Sequence, residues 1–249
     1  MSSVCRITVV TVFLLAFFHS NSFSQLTSSK YEIGVNLGTL VYQGDLASGA
    51  AGDFKLLKPA LGIYVGKTLD KYFALRANFL LGKLAADDSK YSSPAWKQMR
   101  NFNFNTSVAE LSSTLVFNPL GENSNDNLHR LSPYVYAGAG VSFIKVRRDW
   151  SNLNRSAFDA KSEVTTGLPV DSAHSLPRVI PVLPVGAGLR FAVNSQLSLN
   201  AEATYRFTAT DYLDGFKYAA NPNRRDSYYG VAIGLSYRFG GYKCPRVAQ

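Results

Sequence analysis

The residues able to do chemistry in this chain are few and widely spaced. Seven charges interrupt runs that otherwise alternate apolar with small side chains: Glu32, Arg76, Glu110, Arg190, Glu202, Arg206 and Arg238. Three are acids and four are bases. Brought together away from water they must pair with one another; given a water path they could instead line a gated conduit or carry protons. Two histidines lie beyond residue 24, His129 and His174. Nucleophilic catalysis needs a base beside a Ser or Cys, and His174 stands near Asp171, Ser172 and Ser175 in a long polar stretch. A lipid-modifying hydrolase could use such a group; a solvated loop histidine is the plain alternative. No set of His, Cys, Asp and Glu has metal-ligand spacing. The glycine pairs Gly138/Gly140 and Gly186/Gly188 lack the turn-to-helix context of a phosphate-cradling loop. The expectation is a chain with no catalytic residue, no cofactor and no metal.

The elements that carry the seven charges are alternating strands. Asp226 to Gly240 places Tyr229, Val231, Ile233, Leu235, Tyr237 and Phe239 on one face, and Gly230, Ala232, Gly234, Ser236 and Arg238 on the other. Successive side chains of a strand point to opposite faces, so one face is greasy and the other small and polar. The pattern recurs over about Tyr31–Leu40, Pro59–Lys67, Tyr72–Lys83, Phe102–Phe117, Pro133–Val146, Val179–Val193 and Leu197–Phe207. The connections run long, short, long, medium, long, short, long. The longest, Arg147 to Arg178, has no strand periodicity. This is the plan of an all-β, eight-stranded antiparallel up-and-down transmembrane barrel with long loops at one end and both termini at the other, periplasmic end. The seven charges would fall inside, where eight strands leave room only for side chains. The inward glycines are expected to make space for the arginines.

Composition agrees with that class. Charged residues make up 17% and aromatics 13%, with 19 glycines among 249 residues. The first 24 residues hold one charge, Arg6, an apolar run from Ile7 to Phe18, and Ser22-Phe23-Ser24. They read as a secretory signal peptide, followed by a barrel over 25–240 and a short periplasmic tail over 241–249. Formal net charge is +9. An exported destination turns that charge towards lipid phosphates, so outer-membrane lipid is the expected partner and nucleic acid is not. Lys145, Arg147, Arg148 and Trp150 stand where the fifth strand leaves the membrane and are expected to contact lipid headgroups. Cys5 would leave with the signal peptide, so Cys244 is a lone thiol, either idle or disulfide-bonded to a partner protein.

Three segments resemble the PorG-like family of outer-membrane barrels: Tyr31-Glu-Ile-Gly-Val-Asn-Leu-Gly with Tyr42-Gln-Gly-Asp-Leu46, Tyr205 to Gly215, and the closing Tyr237 to Arg246. The resemblance implies a non-enzymatic accessory barrel of the type IX secretion apparatus in the Gram-negative outer membrane. Its implied partners are the periplasmic ring proteins PorK and PorN. It carries no active site onto these residues.

Overall fold

In a computed structural model of the protein the described residues are 31–47, 49, 52, 55–121, 129–220 and 226–240. Eight strands close into one antiparallel barrel in sequence order: β1 (Tyr31–Gln43), β2 (Lys58–Thr68), β3 (Phe73–Asp87), β4 (Asn103–Phe117), β5 (Leu131–Asp149), β6 (Val179–Ala192), β7 (Leu197–Thr208) and β8 (Ser227–Phe239). β8 closes on β1 from Tyr31↔Phe239 to Gln43↔Ser227. The expected signal peptide, the tail over 241–249 and Cys244 lie outside the described residues.

Alternation sets the register. Ile33, Val35 and Leu37 pair with Tyr237, Leu235 and Ile233, all on the outer face and all exposed. Their neighbours Glu32, Gly34 and Asn36 face the lumen with Arg238, Ser236 and Gly234. A slip by one residue would send every aliphatic inward, so the pattern fixes the pairing. The tight turns carry their own chemistry. Asp70 Oδ1 accepts from the N–H groups of Tyr72 (2.7 Å) and Phe73 (2.8 Å), and Asn194 Oδ1 from those of Gln196 (2.8 Å) and Leu197 (2.7 Å). Such Asx turns reverse the chain within four residues.

The opposite end carries four long loops, 44–57, 88–102, 150–178 and 209–226, and they contain structure that periodicity does not announce. The stretch expected as continuous loop between Arg147 and Arg178 first prolongs β5 to Asp149. It then forms a helix, Glu163–Ala173, called α2 here; α1 is the short Trp96–Arg100. Ser162 caps α2, its Oγ accepting from Thr165 N at 3.3 Å, with Glu163 in the first turn. This is a favourable helix start. Two β-branched threonines, Gly167 and Pro169 then work against it. Packing overrides them: Val164 and Leu168 join the apolar core. Gly167 lies so close to the 209–226 loop that an added Cβ would come within 2.2 Å of the Tyr218 backbone.

That core fills the loop end of the barrel interior. Leu40, Leu84, Phe104, Val108, Ile144 and Ile180 contribute from the strands, and Leu46, Phe102, Leu213 and Phe216 from the loops. The top of β1 reads as a short continuous apolar run, Leu40-Val41-Tyr42, because there both faces of the strand are covered.

Candidate functional site

The seven charges expected in the lumen all reach it, and they form two separate groups. Near the short turns, Glu32 Oε2 accepts from Arg190 Nη2 (3.0 Å) and Arg238 Nε (3.1 Å), and its Oε1 accepts from Tyr64 Oη (2.8 Å). Arg76 Nη2 stands 4.0 Å from the same carboxylate. Arg76 then bridges upward, Nη1 donating to Glu202 Oε1 at 2.6 Å. Glu202 also accepts from Tyr134 Oη (2.7 Å) and Asn36 Nδ2 (3.0 Å). Higher still, Glu110 Oε2 accepts from Arg206 Nε (2.7 Å) and Tyr228 Oη (2.9 Å), forming its own cluster. Lone pairs and guanidinium donors are met largely inside the lumen, the condition under which buried charge is tolerable. Among the described residues, Nε and Nη1 of Arg190 are buried without a hydrogen-bond partner. A cavity of about 20 Å³ beside them has room for one water.

Three inward glycines, Gly34, Gly186 and Gly188, make room for tyrosines rather than for the expected arginines. An added Cβ at Gly34 would meet the Tyr64 ring at 2.3 Å, at Gly186 the Tyr136 ring at 2.5 Å, and at Gly188 the Tyr134 ring at 2.4 Å. In each case glycine and tyrosine are direct cross-strand partners: Gly34↔Tyr64, Tyr136↔Gly186, Tyr134↔Gly188. Rings lying flat over glycines line a wall on which Arg76 stacks, its guanidinium carbon 4.0 Å from the Tyr64 centroid. The inward tyrosines were visible in the alternation. Their pairing across strands was not, because it depends on register.

The loop end holds a second polar cluster that sequence reasoning missed. Tyr42 Oη lies 2.7 Å from Asp214 Oδ2 and 2.6 Å from Asp226 Oδ1, all three residues buried. A phenol has one proton to donate, so the second short contact requires a proton on one of the aspartates. Burial pushes Asp226 up to about 7, and burial plus the Asp226 charge pushes Asp214 well above the usual carboxylate range. Both acids also organise the loop: Asp226 Oδ2 accepts from Leu213 N (3.0 Å) and Asp214 Oδ1 from Phe216 N (2.8 Å).

The four loops interlock above this cluster. Arg100 and Asp88 form a buried two-pronged ion pair, at 2.6 and 3.0 Å. Lys97 Nζ donates to Ala47 O at 2.6 Å, and Phe102 stacks on Phe216 with centroids 4.3 Å apart. Asp171 accepts from the backbone N–H groups of Lys217 (3.0 Å), Tyr218 (3.2 Å) and Ala219 (2.8 Å), which docks α2 on the 209–226 loop. Asp171 also accepts from Tyr212 Oη at 3.4 Å, and Ser172 Oγ donates to Pro169 O. His174 lies face to face with Tyr212, centroids 4.1 Å apart. Asp171 and Ser172, two of the residues considered with His174, are thus engaged with other structural partners.

The expected headgroup contacts divide. Lys145 and Arg147 point outward and are exposed. Arg148 and Trp150 do not join them. Arg148 turns inward, Nη1 donating to Gly215 O, and Trp150 packs edge-on against Phe216 at 6.0 Å. Adjacent strand residues cannot share a face, so Arg147 and Arg148 were bound to separate, and Trp150 serves the loop core.

Comparison with known proteins adds a family. A model described as a domain of unknown function, DUF6089, matches residues 8–245. The chain belongs to this family. No curated protein matches it. Among solved structures, this DUF6089 chain is similar to the attachment invasion locus protein Ail of Yersinia pestis in complex with the heparin analogue sucrose octasulfate. That match has 14% identity and a TM-score of 0.45, covering 85% of this chain and 99% of the other. Neisserial surface protein A is similar at 13% identity and a TM-score of 0.46, over 84% of this chain and 97% of the other. The outer membrane protein AlkL is similar at 13% identity and a TM-score of 0.39, over 93% and 98%.

Proposed function

We propose that this DUF6089 chain is a non-enzymatic outer-membrane β-barrel with an accessory, structural role in type IX protein secretion or envelope organisation. The observation that carries the membrane reading is the outer belt. Around the closed barrel the outward side chains are exposed aliphatics, among them Leu37, Leu61, Val135, Leu183 and Ile233, the last 72% exposed. Aromatic rings bound the belt. At the short-turn end Tyr31 stacks on Phe239 (5.9 Å) and Phe73 meets Phe117 (5.2 Å); towards the loop end Tyr205 meets Phe207 (4.7 Å) and Tyr229 (6.4 Å). From Phe239 to Tyr229 a tilted strand climbs about 25 Å, the height of an apolar band between aromatic girdles.

The closed interior supports a structural rather than conducting role. The mid-lumen cavity beside Glu110 and Glu202 is about 60 Å³, enough for a few waters. The apolar core lies above it, and the Arg76–Glu202 pair lies below. The secretion role rests on the resemblance of Tyr31–Gly38, Tyr205–Gly215 and Tyr237–Arg246 to the PorG-like barrels, with both termini and the short turns in the periplasm, where ring proteins such as PorK and PorN would be met. A deletion strain tests it. Lost release of type IX cargo into the medium, with cargo synthesis intact, is the expected result. Unchanged release would remove the secretion role, and heat-modifiable gel mobility of the chain in outer-membrane fractions would test the barrel separately.

A further inference from the structure

The outer face of β4 carries small side chains between larger neighbours. In transverse rows set by the register, Ala109 lies between Leu81 and Phe143, Ser107 between Lys83 and Lys145, and Asn105 between Ala85 and Arg147. The result is an open groove of about 760 Å³ that runs from an apolar floor at Ala109 to a rim of cations. Neighbouring strands stand about 4.8 Å apart, so the two lysine Cα atoms are about 10 Å apart across one serine. Their flexible stems let both ammonium groups reach a single anion in front of Ser107. Among the described residues no side-chain hydrogen bond or ion pair is seen for Lys83, Lys145 or Arg147, whose backbones are held in the β3–β4–β5 ladder. The acids of the next row are engaged elsewhere: Asp87 Oδ1 accepts from Ser89 N (2.9 Å) and Asp149 Oδ1 from Ser151 N (2.9 Å). Lys58 of β2 also lines the groove, whereas farther round this rim outward positions such as Val41, Val179, Phe207 and Tyr229 are uncharged.

We propose that this groove binds a phosphate-bearing acyl lipid of the surrounding leaflet. Its phosphate sits between Lys83 and Lys145 over Ser107, with Arg147 above, and one acyl chain lies on Ala109 between Leu81 and Phe143. The site rests on the membrane reading above and goes beyond it. It assigns Lys83, Ser107 and Ala109, which no headgroup motif marks, and it names the chemistry that selects the ligand: phosphate for the rim, hydrocarbon for the floor.

The test is native mass spectrometry of the full chain in detergent, titrated with lipid A, with dephosphorylated lipid A, and with inorganic phosphate alone. Lipid A should be retained and its dephosphorylated form lost. The double variant K83Q/K145Q should weaken lipid A by roughly 30-fold, from the attraction lost with two basic side chains at a lipid surface. Ala109→Trp, which fills the floor, should weaken lipid A as well. Arg130→Gln, at the short-turn end, should change nothing. Equal retention of dephosphorylated lipid A, saturation by inorganic phosphate alone, or full lipid A binding by K83Q/K145Q would each overturn the groove. Insertion into lipid vesicles, read by heat-modifiable mobility, is scored for the same samples. A chain that does not insert sinks the membrane reading, whereas an inserted chain indifferent to K83Q/K145Q sinks the groove alone.

Discussion

Glu32 at the short-turn end and Leu213 at the loop end both sit inside the closed sheet, but unlike forces hold them. Glu32 is gripped by Arg190 and Arg238 with Arg76 close by, on a wall of tyrosines laid over glycines. Leu213, fully buried, is surrounded by rings and aliphatics brought down by loops. The first region is made by strands alone and is rigid by closure of the sheet. The second exists only while four loops stay docked. The difference divides the molecule into a barrel whose interior is locked electrostatically and a cap that can be loosened without touching the barrel.

The largest effect should come from breaking the electrostatic lock. Glu32→Gln leaves a cluster of buried guanidiniums short of one negative charge. A buried pair broken on one side costs about 3–5 kcal/mol, so the urea midpoint of the barrel in detergent should fall steeply. Pairing the change with Arg190→Met, which removes one stranded cation, should recover part of the loss. A Glu32→Gln midpoint equal to the parent's would mean that the lumen network contributes nothing to barrel stability.

Next in size is the apolar cap. Phe216 is fully buried, stacks on Phe102 and meets Trp150. Phe216→Ala should cost about 3–5 kcal/mol, but to the cap rather than the barrel. Trypsin should then cut after Lys217, while the urea midpoint of the barrel stays within about 0.5 kcal/mol of the parent. A barrel that melts together with the cap would erase the distinction between the two regions.

The acid pair adds a pH dependence that belongs to the cap. Asp226 is pushed to about 7 and Asp214 well above its ordinary 3.8, both by burial first. Asp45 adds negative charge against both acids, and Arg148 is the cation that faces Asp214. Each acid is favoured protonated in the folded cap, so between about pH 4 and pH 7 the folded form holds more protons than the unfolded. Cap stability therefore falls as pH rises through that window. Protection of residues 209–220 from hydrogen exchange should be greatest near pH 4 and decline towards pH 7. Asp226→Asn, which keeps a neutral side chain there at every pH, should flatten the profile.

The same division governs what could be read in advance. The strand set, the face each strand turns outward and the inward placement of Glu32, Arg76 and Arg238 follow from two-residue alternation, which is local. The Gly–Tyr partnerships needed register, which is a property of two strands at once. The cap was illegible for a stronger reason. The sequence of α2 argues against a helix at Thr165, Thr166, Gly167 and Pro169, and burial of Val164 and Leu168 together with docking against residues 217–219 through Asp171 repays it. Asp214 and Asp226 look like loop acids until Tyr42 is seen between them. Arg148 and Trp150 were legible in part, because the parity of β5 already placed Arg147 and Arg148 on opposite faces.

The smallest effect sharpens the comparison most, because it concerns the residue that sequence alone offered as a catalyst. His174 follows α2 directly and lies flat on Tyr212, whose phenol is pushed up to about 12 by burial and by the Asp171 carboxylate. Tyr212 is thus neutral at every working pH, and the contact is ring on ring, worth about 0.5–1.5 kcal/mol beyond buried area. His174→Ala should make trypsin cleavage after Lys217 only a few-fold faster, whereas His174→Phe, which restores a flat ring and cannot move a proton, should return it to the parent rate. Barrel midpoint and lipid retention should be untouched by either. If His174→Phe fails to restore cap protection, the histidine acts there through its nitrogens. If a lipid hydrolase activity is found that both substitutions abolish, the cap is a catalytic module and not a plug.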